Sequence, residues 1–193
     1  MLTNDPTSTP QKSTSQQPAS DRKEPLHQYF LNALKEMYWS EQEITEGLKK
    51  LQSAATHSKL VQAFKKHETE TREHVVRLEK IFEITGEIPE VRKCPAMESI
   101  LKEADEITAL LPNASATLDA ILIIAAQKVE HYEIASYGGL VALAETLNLS
   151  EAAHILQSTL EEEKETDLLL TELAENRIND EAGNEDEGDD EEQ

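Results

Sequence analysis

The stretch Ala125–Leu140, AAQKVEHYEIASYGGL, decides how the chain is read. It overlaps the apolar run LDAILIIAA at Leu118–Ala126 and has the composition of a helix packed in an interior. Yet it carries Gln127, Glu130, His131 and Glu133. Acidic side chains are almost never fully buried without a partner. An ionised carboxylate in an apolar core is costly unless it is paired or bound to a metal. Either the helix is misread, or something cationic stands beside Glu130.

Composition narrows the choice. The chain has 193 residues, enough for one domain with a sizeable core plus tails. It holds 39 acidic against 18 basic residues, a formal charge of −21. That charge argues against a nucleic-acid phosphate backbone or an anionic membrane surface as partner, and it attracts multivalent cations. Six glycines and seven prolines among abundant Ala, Leu, Glu and Lys favour an all-α chain. A single cysteine, Cys94, rules out an internal disulfide and any four-cysteine iron–sulfur site within the chain. A reducing, cytoplasmic setting is the expectation. The opening residues MLTNDPTSTP lack an apolar signal core, and no run approaches the roughly 18 apolar residues of a membrane span, so neither export nor insertion is expected.

Residues 1–24, rich in Ser, Thr, Gln and Pro, are expected to be a disordered tail, and residues 179–193, ending EDEGDDEEQ, an acidic one; Asn176 onward offers no core residue. Residues 25–178 carry helical periodicity. A first helix is expected at about Pro25–Ala54, with Pro25 in its first turn. Its stripe is Phe30, Leu34, Met37, Ile44, Leu48 and Leu51, and Glu41 falls at the centre. A second, about Ser58–Thr85, has Ser58 as N-cap and Gly86 as its stop. In its stripe of Leu60, Phe64, Val75, Leu78 and Phe82, His67, Thr71 and His74 fill a gap, with Glu70 on the flank. A long connection follows, with a short helix at about Ala96–Leu111. The third long helix runs about Ala116–Leu147, where Gly138 and Gly139 allow close packing or a bulge. The fourth runs about Glu151–Glu175 from an N-cap at Ser150, with Glu163 central in its stripe and Thr166 and Asp167 one turn on.

Each long helix thus has one carboxylate on or beside its apolar stripe, near mid-length: Glu41, Glu70, Glu130 and Glu163. In an antiparallel bundle these meet at one depth. Four carboxylates there repel one another strongly at low effective dielectric, and two divalent cations would neutralise them. Carboxylate oxygens with imidazole suit iron or manganese. Ferritin-like di-iron bundles carry a Glu on each of two helices and Glu-x-x-His on each of the others. Here the second helix reads His67-x-x-Glu70, the reverse order, and the fourth has Thr166 where the histidine is expected. Asp167 is the substitute ligand there, and Glu133, one turn from Glu130, bridges or binds terminally. The expected metal set is therefore Glu41, His67, Glu70, Glu130, Glu133, Glu163 and Asp167. His74 ranks last and is read as partly exposed. His131 is read as an off-centre residue behind the ligands, Tyr137 as the aromatic nearest to them, Trp39 as a dimer contact and Cys94 as structural.

FKKHETETREH, CPAMESILKEADEI, AAQKVEHYEIASYGGL and TLEEEKETD resemble the bacterial YciF/YciE-like family of ferritin-like proteins, over roughly Leu26 to Ile178. The resemblance implies a ferritin-like antiparallel four-helix bundle, a fifth short helix between the second and third long ones, a homodimer and a di-metal centre. It links the chain with bacterial stress responses. The expected function is a di-iron (or manganese) protein reacting with oxygen or peroxide. The alternative is a non-catalytic stress or interaction protein whose metal is structural or absent.

Overall fold

A computed structural model describes residues 19–110 and 115–185; side chains are described from Glu24 onward, Leu110 excepted. The described residues form helices and no strand. α1 is Ala19–Ala54, α2 Ser58–Thr85, α3 Pro95–Leu110, α4 Ala116–Thr146 and α5 Ser150–Leu173. A π-helical turn, Ala174–Ile178, leads into a short α6, Asn179–Gly183.

α1, α2, α4 and α5 build the bundle, and α3 lies in the connection, against α4 and α1. α1 packs on α2 and α4, and α5 packs on α2 and α4. The pairings show that these neighbours are antiparallel. Thr56, just past the end of α1, bonds Asp119 at the start of α4. Arg77 late in α2 bonds Glu162 near the middle of α5, and His67 early in α2 meets Thr166 further along α5. The segment after α2 stays beside α1, with Arg92 N donating to Lys35 O at 3.1 Å. α4 begins at the opposite end of α1, so the connection through α3 runs the length of the bundle.

The interior has three levels. One apolar cluster holds Phe30, Leu34, Leu78, Phe82, Tyr137, Leu140 and Leu156. The other holds Ile44, Leu48, Leu60, Phe64, Leu122, Ile123 and Leu170. Between them lies a polar layer, because each long helix changes from apolar to ionisable at mid-length and back again. The apolar levels supply the burial that holds the bundle closed.

Several boundaries depart from expectation. α1 starts at Ala19, so residues 19–24 are helical rather than tail; Pro25 lies within the helix with its side chain exposed. Residues 1–18 and 186–193 lie outside the described residues, as do Leu111 and Pro112 of the connection. The C-terminal segment also belongs to the fold. Ile178, on a stretch expected to bury nothing, is 1% exposed against the second apolar cluster. Beyond it, Glu185 accepts from the N–H groups of Ala116 and Thr117 at 2.8 and 2.9 Å, where the start of α4 has free donors.

The caps differ as well. Ser58 and Ser150 are the first helical residues of α2 and α5 rather than N-caps. The start of α2 is satisfied instead by Asp119 of α4. This buried carboxylate takes Thr56 N, Thr56 Oγ1 and His57 N at 2.8, 2.6 and 2.8 Å. Gly86 ends α2 at φ +74, the left-handed conformation that glycine adopts without a Cβ penalty. Gly138 and Gly139 sit in an unbroken α4, and a Cβ on either would meet no heavy atom within 4 Å, so they serve no close approach within the described chain.

Candidate metal centre

The polar layer draws on all four long helices. α1 contributes Glu41, α2 His67 and His74, α4 Glu130 and Glu133, and α5 Glu163. All six are 0–2% exposed. Their atoms fall into two sets, each with one donor per residue and all donors within 4.8 Å of one another. The first set is His67, Glu130, Glu133 and Glu163; the second is Glu41, His74 and Glu163. Glu163 belongs to both and lies where it can join two ion positions.

The contacts inside the layer are near misses for hydrogen bonding. His67 Nε2 is 3.3 Å from Glu130 Oε1 and 3.5 Å from Glu163 Oε2. His74 Nδ1 is 2.9 Å from Glu163 Oε1 and 3.6 Å from Glu41 Oε1. These distances are short, but the alignment is not that of a hydrogen bond: both histidine nitrogens, both oxygens of Glu133, both of Glu163, Glu41 Oε2 and Glu130 Oε2 are buried without a hydrogen-bond partner. Buried polar groups are ordinarily satisfied. Here unsatisfied electron-pair donors converge on common points, the demand that a cation would meet.

The outer contacts are well made. His74 Nε2 lies 2.8 Å from Glu162 Oε2, and Arg77 clamps that carboxylate through two nitrogens at 2.7 and 2.8 Å. Such a carboxylate fixes the ring and leaves Nδ1 facing Glu41 and Glu163. Thr166 Oγ1 lies 3.2 Å from His67 Nδ1. The Tyr137 hydroxyl donates to Glu41 Oε1.

The protonation of the layer follows from its burial. Burial raises the Glu133 carboxyl well above its ordinary value, and the neighbouring Glu163, Glu41 and Glu130 carboxylates push it further. Burial likewise takes Glu163 up to about 7, against the opposing pull of His74 and His67. For the histidines, burial disfavours the charged ring, but the carboxylates prevail: Glu130 foremost holds His67 well above its ordinary value, and Glu41 and Glu163 take His74 to about 10. Burial and Glu41 raise the Tyr137 phenol, so it stays protonated as a donor. Without a cation, burial and mutual repulsion of the carboxylates therefore favour the protonated forms in this layer.

Of the seven residues expected from sequence, Glu41, His67, Glu130, Glu133 and Glu163 come together. Glu70 stands at the edge: its side chain is 23% exposed, it pairs with Lys66 at 2.5 Å, and the nearest approach of His67 is 3.8 Å. The His67 contact, ahead of Lys66, holds its carboxyl down at about 2. Asp167 is not in the layer. Thr166, three residues after Glu163, takes the inward position, and Asp167 is turned towards α4, where Gln127 Nε2 donates to it at 3.1 Å. His74 corrects the opposite way: expected to be partly exposed, it is 0% exposed and central. Its signal was present, because Leu60, Phe64, His67, Thr71, His74, Leu78 and Phe82 form one unbroken stripe on α2. Glu162 carried no sequence signal, since its role depends on Arg77 of another helix. His131 is 67% exposed and faces away from the layer.

Fold and site together define the class: a ferritin-like four-helix bundle with a buried glutamate–histidine layer that could hold metal ions. The profile of the family described as Domain of unknown function (DUF892) matches residues 25–183. Protein YciF of Escherichia coli is 44% identical over 160 residues, 82% of this chain and 96% of that protein. The crystal structure of the E. coli stress protein YciF superposes with a TM-score of 0.76 at 43% identity, covering 80% of this chain and 97% of that one. YcfI of Rhodopseudomonas palustris, provisionally described as a structural protein, superposes with a TM-score of 0.74 at 35% identity, covering 82% and 96%. The chain belongs to the YciF-like family.

Proposed function

We propose that this protein is a di-metal carboxylate protein of the bacterial stress response, cytoplasmic and homodimeric, in which ferrous ions react with oxygen or peroxide. The observation that carries the reading is the convergence of buried, unpartnered donors from four helices into two sets that share Glu163. The donor set of carboxylate oxygens and imidazole nitrogens fits iron or manganese. His67, Glu130 and Glu133 would hold one ion, Glu41 and His74 the other, with Glu163 between them. A bound pair of iron ions supplies two electrons per reaction; manganese would instead support peroxide disproportionation.

The chain's own residues have definable parts. The apolar clusters above and below exclude bulk water, which strengthens every charge interaction in the layer. Glu162, clamped by Arg77, orients the His74 ring. Tyr137 holds Glu41 by its hydroxyl proton. A cation held by Glu133, Glu163, His67 and His74 would compete with protons for the same atoms, so binding would release protons and tighten as pH rises. The stress assignment is supported by the similarity to the E. coli stress protein YciF.

A second reading has an observation of its own. With both histidines protonated, their two positive charges oppose the four carboxylates, and the raised Glu133 and Glu163 values leave little net charge. The layer would then be a metal-free specificity device in a non-catalytic protein, in keeping with the description of the R. palustris relative. Anaerobic loading with Fe(II) followed by oxygen or hydrogen peroxide separates the two. The di-metal reading requires a rise in near-ultraviolet absorbance as ferric iron forms in the protein; no change beyond the protein-free control leaves only the structural reading.

A further inference from the structure

The six residues of the polar layer are 0–2% exposed, so an ion reaches them only if a side chain moves. The apolar clusters close the layer above and below. A cavity of about 740 Å³ between α1, α3 and α4 touches Glu130, but the unpartnered oxygen of that carboxylate is sealed from it. The way in therefore runs between helices, past side chains that are partly exposed and also touch the layer.

Among the described residues two glutamates fit that description, each behind a histidine of α2. His74 turns Nδ1 towards Glu41 and Glu163, and its Nε2 is 2.8 Å from Glu162, whose side chain is 28% exposed. His67 turns Nε2 towards Glu130 and Glu163, and its Nδ1 is 3.8 Å from Glu70, whose side chain is 23% exposed.

The two glutamates differ in how firmly they are held. Arg77 grips both oxygens of Glu162 and also reaches Thr159 Oγ1 at 3.3 Å. A planar guanidinium in that bidentate geometry fixes a carboxylate in place. Glu70 is held at one oxygen. Its Oε1 accepts from Lys66 Nζ at 2.5 Å, and the Lys66 side chain is 57% exposed. Its Oε2 is buried without a hydrogen-bond partner. An exposed lysine–carboxylate pair is a weak tether, screened by salt. The His67 ring is itself steadied by Thr166 Oγ1 at 3.2 Å rather than by a clamped carboxylate.

We propose that Glu70 is the entry gate of the metal layer: it exchanges the Lys66 ammonium for a divalent cation at the surface and passes that cation to His67, while Arg77 keeps the Glu162 side shut. This rests on the di-metal reading and adds where the ions enter. Glu70 suits the exchange because one oxygen faces an exposed cation and the other faces the layer. Lys66 is the latch, since its ammonium stands where the incoming ion must bind.

A gate changes rates and leaves affinity alone, whereas a resident ligand changes affinity. Full-length, metal-free protein is mixed with Co(II), whose visible absorbance follows binding to carboxylate and imidazole, and release is started with an excess of chelator. Glu70→Gln should slow uptake and release alike, each at least tenfold, with affinity and bound ions per chain as in wild type. Lys66→Gln should speed both at least threefold. Lys65→Gln and Glu73→Gln make the same charge changes at exposed positions of α2 and should shift the rates less than twofold. Glu70→Gln protein as fast as Glu73→Gln protein overturns the gate. So does a Glu70→Gln protein that loads at the wild-type rate but holds fewer ions, which makes Glu70 a resident ligand. Slowing by Glu162→Gln and not by Glu70→Gln places the entrance at Arg77 and also overturns it. Wild-type protein that binds no Co(II) overturns the di-metal reading, and the gate with it.

Discussion

Asp119 and Glu133 are both buried carboxylates on α4, each 1% exposed, and they differ in every other respect. Asp119 accepts three hydrogen bonds from Thr56 and His57 and closes the start of α2. Both oxygens of Glu133 lack a hydrogen-bond partner, and three other carboxylates press on it. One helix thus carries a carboxylate that the fold uses and one that the fold alone has no use for. Burial does not separate the two acids; hydrogen-bond satisfaction does.

The comparison breaks most sharply at Asp119. Asp119→Ala removes three hydrogen bonds to a buried carboxylate from Thr56 and His57 and should cost about 3 kcal/mol of unfolding free energy, since hydrogen bonds to charged groups are worth about 1.5–3 kcal/mol each, do not add fully, and the freed donors lie near solvent. Chemical denaturation should show the same loss with and without added metal. If the loss disappears when metal is added, Asp119 belongs with the site rather than the scaffold.

Next in size is the pH dependence of the metal-free protein. Glu163 is raised from 4.5 to about 7 and His74 from 6.5 to about 10, with Glu133 and His67 shifted the same way. Above each ordinary value the folded state holds protons that the unfolded state has lost, so stability falls as pH rises: from 4.5 to 7 for Glu163, from 6.5 to 10 for His74. The Glu163 shift alone is on the order of 3 kcal/mol. Glu70, held at about 2, acts in reverse: its contribution is present above 4.5 and lost as pH falls through 2. Metal-free stability should therefore peak near pH 4.5, and metal should flatten the decline above it. A metal-free protein most stable at pH 8 would contradict these proton assignments.

Glu133→Met comes third. Replacing an unsatisfied, proton-demanding acid by an apolar side chain of similar volume should raise metal-free stability at pH 8 by about 2 kcal/mol while lowering metal content. Destabilisation there would mean Glu133 has a structural partner. Tyr137→Phe is smallest, a loss of about 1.5 kcal/mol from the bond to Glu41, read by thermal unfolding of the metal-free protein.

Much of this was legible in the sequence, for a physical reason. An amphipathic helix declares its buried face by period, and a carboxylate on that face is an anomaly visible without coordinates. Glu41, Glu130 and Glu163 stood on their stripes and are in the layer. His74 was on its stripe too, but histidine is common at surfaces and burial of its neighbours had to be weighed more heavily. Asp167 failed because one residue is about 100° of helix, and Thr166 claimed the inward direction. Asp119 read as an ordinary first-turn acid; only the packing of α4 against the α1–α2 turn gives it donors. Glu162 has meaning only through Arg77 on α2, a contact that no single-helix pattern contains. The cavity beside Glu130 depends on where α3 lies, which the sequence of the connection did not fix.

The central claim is that the layer holds a pair of metal ions joined at Glu163. It is tested most directly by anaerobic Fe(II) binding to chelator-free protein, counting bound iron after removal of free ions, for wild type and Glu163→Ala. The account predicts about two ions per chain for wild type and loss of both in the variant, because Glu163 is common to the two sets. Wild-type protein that retains no iron, or a folded Glu163→Ala protein that retains as much as wild type, would contradict it.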